Sequence, residues 1–221
     1  MEKVLISWSG GKDCTLALHN ILSSQEYQVA GLLTTITGGS DRIDMHDVRF
    51  SLLERQALSL GFPLEKVTIS SHTSNADYEP NLVQSLIKHR ELGVTSVVFG
   101  DIFRADLKKY RELNLARLRM KAIFPLWEKD NFEIMESFIT QGFKATIVSV
   151  NTNALERQFV GRPINWRFMF DFPKTANVCG EYGEYHTFVY DGPIFKQCVP
   201  FKVGETLLRD HHFYYCDLIP V

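Results

Sequence analysis

Along the first 125 residues, apolar positions alternate between two spacings. Val4–Trp8 is a short apolar run with β-branched members, and Asp13–Leu22 follows with Leu18, Ile21 and Leu22 at helical spacing. Val29–Thr35 again has strand character. Val48–Leu60 then places Leu52, Leu53, Ala57 and Leu60 on one helical face, with Gly61 as a stop. The alternation continues with a strand at Val67–Ile69 and a helix over Ala76–Leu92, which has Pro80 early and Gly93 at its end. A strand at Ser96–Phe99 runs into Gly100-Asp101, a helix covers Asp106–Met120, and a strand at Ala122–Phe124 precedes Pro125.

Repeated strand–helix–strand units predict a parallel sheet covered by helices. The expected fold class is therefore α/β, a doubly wound, five-stranded parallel sheet of Rossmann-like type over residues 1–125. Ligands of such sheets bind beyond the C-terminal ends of the strands, where the strand order reverses. That rule puts the turn after Val4–Trp8 and the Gly100-Asp101 turn in one crevice. After residue 125 the periodicity weakens. A helix is predicted over Asn131–Gln141 and strands over Lys144–Val150 and Thr187–Tyr190, within a stretch rich in aromatics, Gly and Pro. Residues 126–221 are expected to form a smaller α+β domain.

The chain has 45% hydrophobic and 23% charged residues, which excludes a disordered polymer, and no apolar run reaches membrane-spanning length. The start, Met1-Glu2-Lys3-Val4-Leu5-Ile6, turns polar by Ser7 and lacks the pattern of a signal peptide, so a cytoplasmic protein is expected. A net charge of −2 gives no basic footprint for nucleic acid or anionic membrane. Cys14, Cys179, Cys198 and Cys216 form no C-x-x-C pair, which argues against a structural zinc site. Oligomeric state is not readable; a homo-oligomer stays open.

The most informative segment is Ser9-Gly10-Gly11-Lys12-Asp13-Cys14, at the junction of an apolar strand and a helix. Two glycines allow positive φ and close backbone approach. Loop amides and the helix dipole would face an anion. Ser9 adds a hydroxyl, Lys12 a positive charge and Asp13 a carboxylate suited to Mg²⁺ beside phosphate oxygens. The segment fits neither G-x-x-x-x-G-K-[ST] nor G-x-G-x-x-G.

This loop resembles the SGG-x-D-S loop of the PP-loop ATP pyrophosphatases, with Cys14 where that superfamily usually has serine. A thiol is a weaker donor, but its backbone N–H can still serve phosphate. Nearly the whole chain resembles one branch, the diphthine–ammonia ligases. The resemblance rests on Phe99-Gly100-Asp101-Ile102-Phe103, Tyr110-Arg111-Glu112, Phe124-Pro125-Leu126-Trp127 and Cys179-Gly180-Glu181-Tyr182-Gly183-Glu184-Tyr185-His186-Thr187, followed by Tyr190-Asp191-Gly192-Pro193. Asn177-Val178 departs from the acid and proline that the family pattern favours there.

The resemblance implies an AMP-forming amide ligase of cytoplasmic diphthamide biosynthesis. ATP with Mg²⁺ would bind through Ser9, Gly10, Gly11, Lys12, Asp13, Cys14 and Gly100, with adenine against the backbone of Leu33 and Thr34. A carboxylate, that of diphthine on translation elongation factor two, would be adenylated and the acyl group passed to ammonia. Lys12, Asp101, Arg111, Glu181, Glu184 and His186 are the expected catalytic residues, with Asp13 and Asp101 as metal ligands. Read from the residues alone, Asp101 would suit Mg²⁺, a substrate amine or a helix N-cap. An extended Glu184-Tyr185-His186 would put Glu184 and His186 on one side, where carboxylates can hold ammonium and an imidazole can take a proton.

The helix bearing Arg104, Lys108, Lys109, Arg111, Arg117, Arg119 and Lys121 is either an electropositive rim or a solvated face. His46-Asp47, after Gly38-Gly39, is either part of a substrate lid or a helix cap. His19, His72, His89, His211 and His212 show no ligand spacing and receive no role. Two rivals remain: a PP-loop enzyme acting on a small carboxylate or transfer RNA, and a non-catalytic ATP-binding sensor.

Overall fold

The structure, a computed structural model, describes residues 1–43, 46–69, 79–209 and 212–221. The first three residues of the helix expected from Ala76, along with His72 and His211, lie outside the described residues.

Five strands, β1 (Glu2–Ser7), β2 (Tyr27–Thr37), β3 (Leu64–Ile69), β4 (Val94–Val98) and β5 (Lys121–Ile123), form one sheet in the order β3-β2-β1-β4-β5. Every pairing is parallel. The order reverses between β1 and β4, so the loops leaving these two strands flank the switch point. Between the strands run α1 (Lys12–Ser24), α2 (Phe50–Leu60), α3 (Pro80–Glu91) and α4 (Ala105–Arg117). The expected doubly wound α/β class is what the chain adopts.

By contacts the chain divides into two units. The first comprises Met1–Ser9, Asp13–Asp41 and Phe62–Glu128; the second comprises Gly10–Lys12, Arg42–Gly61 and Lys129–Val221. The second unit thus draws α2 and three residues of the glycine loop from the first half of the chain.

In the first unit, Leu5, Leu33, Val67, Leu86, Val97 and Leu115 form a continuous apolar core. Burial of such side chains contributes about 1.5–3 kcal/mol each. Helix α3 starts with Pro80 after Glu79, whose carboxylate accepts from the Asn81 N–H at 2.9 Å. A polar clasp ties α3 to β3: the Ser85 hydroxyl donates to Glu65 at 2.6 Å, and His89 Nε2 lies 2.5 Å from the other Glu65 oxygen.

In the second unit, β6 (Lys144–Asn151), β7 (Tyr185–Asp191), β8 (Phe201–Arg209) and β9 (Phe213–Pro220) form an antiparallel sheet in the order β7-β6-β9-β8. Besides α2, the unit holds α5 (Asn131–Thr140), α6 (Trp166–Asp171) and a 3-10 turn at Arg157–Phe159. Rings of Phe168 and Phe172 sit 5.1 Å apart and pack on Tyr185 at 5.6 and 5.9 Å. Of these elements, α6, β8 and β9 have no counterpart among the sequence expectations. The short α6 shows too few turns for a period, and β8 is an edge strand with little burial, so its two faces differ weakly. Among the described residues no helix is long and apolar enough to cross a membrane.

Candidate active site

In the first unit the turn after β4 meets the first turn of α1. A Cβ added to Gly100 would lie 2.7 Å from the Asp13 carbonyl carbon and 2.8 Å from the Cys14 nitrogen. Glycine at position 100 is therefore what lets the Gly100-Asp101 turn touch the start of α1. Asp13 occupies the first turn of α1, where the helix dipole favours negative charge. Ser9 Oγ lies 3.5 Å from the buried Cys14 thiol.

Asp101 is gripped by Arg111. The Arg111 Nη2 donates to Oδ1 at 3.1 Å, and Nε stands 2.8 Å from Oδ2, close in distance but off the hydrogen-bond line. The guanidinium rests on the Phe99 ring, 4.2 Å from its centroid. Asp101 does not cap α4, whose N-cap position is Arg104 with no side-chain capping hydrogen bond, so the capping alternative falls away. Two of these basic residues are neutralised locally: Arg104 pairs with Asp106 at 2.6 Å and Lys108 with Glu112, while Lys108 also lies 5.4 Å from the Phe124 and Trp127 ring centroids.

The two residues expected near adenine differ. The Leu33 carbonyl already accepts from the Trp8 N–H at 2.8 Å. Thr34, 2% exposed, has a buried hydroxyl with no hydrogen-bond partner among the described residues.

In the second unit, the middle of the glycine loop is held against β7. Gly10 has φ +78°, and its carbonyl accepts from the Val189 N–H at 2.9 Å and from Gln56 Nε2 at 3.0 Å. The Lys12 N–H donates to Thr187 Oγ1 at 3.0 Å. The Lys12 side chain is buried, and its ammonium sits 5.6 Å from the Tyr185 ring centroid. A charge withdrawn from water in this way is costly unless ligand or protein charges answer it.

His186 stands next to Tyr185 on β7, and its Nε2 is buried with no hydrogen-bond partner among the described residues. Its ring lies 4.5 Å from that of His46, tilted by 41°. Burial, together with the nearby His46 and Lys12, pushes the His186 pKa well below the ordinary 6.5. The imidazole is therefore neutral at pH 7 and able to accept a proton.

Glu184 behaves differently. Its two oxygens accept from the Asn177 and Tyr182 N–H groups, each at 3.0 Å, so the carboxylate closes the loop before β7. Glu181 is half-buried on that loop. The structure thus brings together Gly10, Lys12 and His186 in one unit, and Asp13, Gly100, Asp101 and Arg111 in the other. His46-Asp47 forms neither a cap nor a helix start: Asp47 has φ +54° and pairs with Arg42 and Arg209 at 3.4 and 2.9 Å. Residues 44–45 of the expected lid lie outside the described residues.

Three participants escaped the sequence reading. Thr187 lay within the quoted motif but carried no role. His46 was noted only as part of a lid. Gln56 left the clearest signal: it falls in the apolar stripe of Leu52, Leu53, Ala57 and Leu60, where an amide has to find buried partners.

The family model described as "Diphthamide synthase N-terminal domain" matches residues 2–122, and "Diphthamide synthase C-terminal domain" matches residues 130–216. The chain belongs to the diphthamide synthase family. Among similar proteins, the diphthine–ammonia ligase of Danio rerio is 28% identical over 91% of this chain and 87% of its own length. The Bos taurus diphthine–ammonia ligase is 26% identical over 90% of the chain and 82% of its own. The Schizosaccharomyces pombe diphthine–ammonia ligase is 30% identical over 88% of the chain, which spans only 35% of that longer protein. For this diphthamide synthase homologue, the two family matches fall on either side of residues 123–129.

Proposed function

We propose that this chain is an ATP-dependent acid–ammonia ligase that amidates diphthine on translation elongation factor two in the cytoplasm. The substrate carboxylate attacks the α-phosphate of ATP, forming an acyl-adenylate and releasing pyrophosphate. Ammonia then attacks the acyl carbon, AMP leaves, and one proton is given up. The observation that carries the reading is the buried Lys12 on a loop whose Gly10 turn and backbone are fixed by β7, the strand that also bears a neutral His186 whose Nε2 has no hydrogen-bond partner among the described residues.

Lys12 supplies the positive charge that answers the departing pyrophosphate. A fixed loop supplies that charge without reorganisation when the bond breaks. His186 Nε2 takes the proton as the ammonia nitrogen bonds to the acyl carbon. Glu181 contributes the negative charge that attracts ammonium, and Glu184 holds the loop on which Glu181 sits. In the first unit, Arg111 orients Asp101.

Mg²⁺ fits the donors present. Among the described residues no group of three or more His, Cys, Asp or Glu side chains forms a metal cage. Mg²⁺ needs none, since it keeps several waters and takes one or two carboxylates beside phosphate oxygens. Asp13 stands in the first turn of α1, which touches the Gly100-Asp101 turn at Gly100, and one Asp101 oxygen is buried with no hydrogen-bond partner among the described residues. These two would hold the ion, which when bound neutralises phosphate charge.

The test is product analysis with labelled ATP, Mg²⁺ and ammonium, with and without the diphthine-bearing factor. AMP, pyrophosphate and the amidation mass change, all dependent on the factor, are expected. Lys12→Ala is expected to abolish AMP formation. AMP formation by the unaltered protein without the factor would reassign the carboxylate, and normal turnover in Lys12→Ala would remove the role of that lysine.

A further inference from the structure

We infer that Gln56 is a positioning residue for the nucleotide loop, locking Gly10 and β7 into one hydrogen-bonded ring; this rests on the ligase reading above. Gln56 is 0% exposed, in the middle of α2. Its Nε2 donates to the Gly10 carbonyl at 3.0 Å and to the Val189 carbonyl at 2.6 Å. The Val189 N–H donates to the same Gly10 carbonyl at 2.9 Å. Gly10 therefore receives two donors, and both backbone groups of Val189 are engaged.

The ring has a structural cause. Strand β7 is an edge of its sheet, and Val189 faces Ala145 on β6 while its own N–H and carbonyl point to the other side. An edge strand exposes backbone groups that need partners. Here the glycine loop supplies an acceptor and Gln56 a donor. Leaving one such buried group without a partner costs about 1–3 kcal/mol, so the amide is under strong demand where it sits.

The fit is also steric. A Cβ on Gly10 would lie 2.7 Å from Gln56 Oε1. The glutamine thus occupies the space a side chain at position 10 would need, and the φ of +78° independently favours glycine. Two residues on, the Lys12 N–H is fastened to Thr187 of the same strand. Both ends of Gly10-Gly11-Lys12 are consequently referenced to β7, whose next residue back from Thr187 is His186. Gln56 acts by fixing the turn from which Lys12 projects.

The role is testable with the full-length protein, Gln56→Met and Gln56→Glu, by measuring ATP·Mg²⁺ binding by calorimetry and the KM values for ATP and for ammonium. Gln56→Met keeps the length and removes both donors. It is expected to weaken ATP binding about tenfold, the scale of one or two lost hydrogen bonds, with the KM for ammonium unchanged. Gln56→Glu faces two carbonyl oxygens with a group that donates only when protonated. Its ATP affinity relative to the unaltered protein is expected to be lowest at pH 8 and to recover as the pH is lowered to 6. The Gln56→Met ratio is expected to stay flat over that range. Should Gln56→Met not fold, the Gln56→Glu pH profile decides alone. ATP affinities equal to that of the unaltered protein, or an equal loss at every pH in Gln56→Glu, would overturn the positioning role. An unaltered protein that binds no ATP would instead overturn the ligase reading.

Discussion

The Gly100-Asp101 turn and the loop over residues 177–184 each carry a carboxylate that the same sequence reasoning marks as catalytic, yet the two are held in opposite ways. Asp101 is held by a side chain, the Arg111 guanidinium, which itself lies on Phe99. Glu184 is held by two backbone N–H groups. A side-chain partner can swing away and leave its carboxylate to a cation. Backbone amides cannot, because moving them would open the loop. A carboxylate whose two oxygens each accept a backbone N–H fastens its loop, whatever further acceptor capacity it keeps.

The contrast depends on the turn that holds Asp101, and the largest effect should come from disturbing that turn. Gly100→Ala forces a methyl to within 2.7 Å of the Asp13 backbone, which has no rotamer to yield. We expect a stability loss of about 1–3 kcal/mol and a roughly 100-fold fall in turnover from displacement of Asp101 and Asp13. AMP release and thermal melting measure the two. Turnover within a factor of two of the unaltered enzyme would show that the contact between the turns is dispensable.

Substituting the two carboxylates should produce a crossed pattern. Glu184→Gln sets an amide NH₂ against a backbone N–H and is expected to lower stability by about 1–3 kcal/mol, read as a shift in denaturation midpoint. Asp101→Asn weakens an ion pair to an Arg111 that stays about a quarter exposed and stacked on Phe99, so its midpoint should move less than that of Glu184→Gln while AMP formation falls at least tenfold. If Asp101→Asn proves the more destabilising of the two, the division between a structural and a working carboxylate is wrong.

How much of this contrast could be read beforehand follows the same line. The parallel half was legible because each βα unit repeats a strand-like run and a helical stripe, and because Gly10 and Gly100 stand at strand ends where only glycine tolerates the approach. The catalytic candidates were legible as residue types in a motif. Their commitments were not. Whether Glu184 faces ammonium or the amides of Asn177 and Tyr182 depends on how the loop folds back, and no periodicity encodes that. The division at residue 125 could not anticipate that Gly10–Lys12 and α2 make their contacts with the second unit. Buried Gln56 in an apolar stripe was the one local sign of it.

His186 sharpens the comparison from the side of proton transfer. Its folded pKa lies well below 6.5 because it is buried and flanked by His46 and Lys12. The free imidazole therefore persists to lower pH in the folded protein than in the unfolded chain. Rates expressed per free ammonia should stay level as the pH falls through 6.5, with the acid limb appearing lower. Stability moves oppositely: below about 6.5 the unfolded chain binds the proton and the folded one does not, so stability should decline as pH drops. His186→Asn should lower turnover about 100-fold, within the usual range for a lost general base, and remove that decline. An acid limb at the ordinary histidine value in the unaltered enzyme would mean that His186 is not the proton acceptor.

The smallest effect should come from the clasp in the first unit, where Glu65 meets Ser85 and His89. This carboxylate resembles Glu184 in being fully engaged but differs in being held by side chains. Partial burial raises its pKa, yet the hydrogen bonds from Ser85 and His89 and the charges of His89 and Lys88 outweigh that and leave it below 4.5. A depressed carboxylate pKa contributes stability above the unfolded value, and that contribution disappears as the pH falls through the folded value. Glu65→Gln should therefore cost on the order of 1 kcal/mol at pH 7. The difference from the unaltered protein should close as the pH is taken below 4.5, with ATP turnover at pH 7 unaffected. A difference that instead widened in acid would mean that Glu65 is stabilised by its protonated form. The clasp would then rest on a carboxylic acid donating to its neighbours rather than on a carboxylate accepting from them.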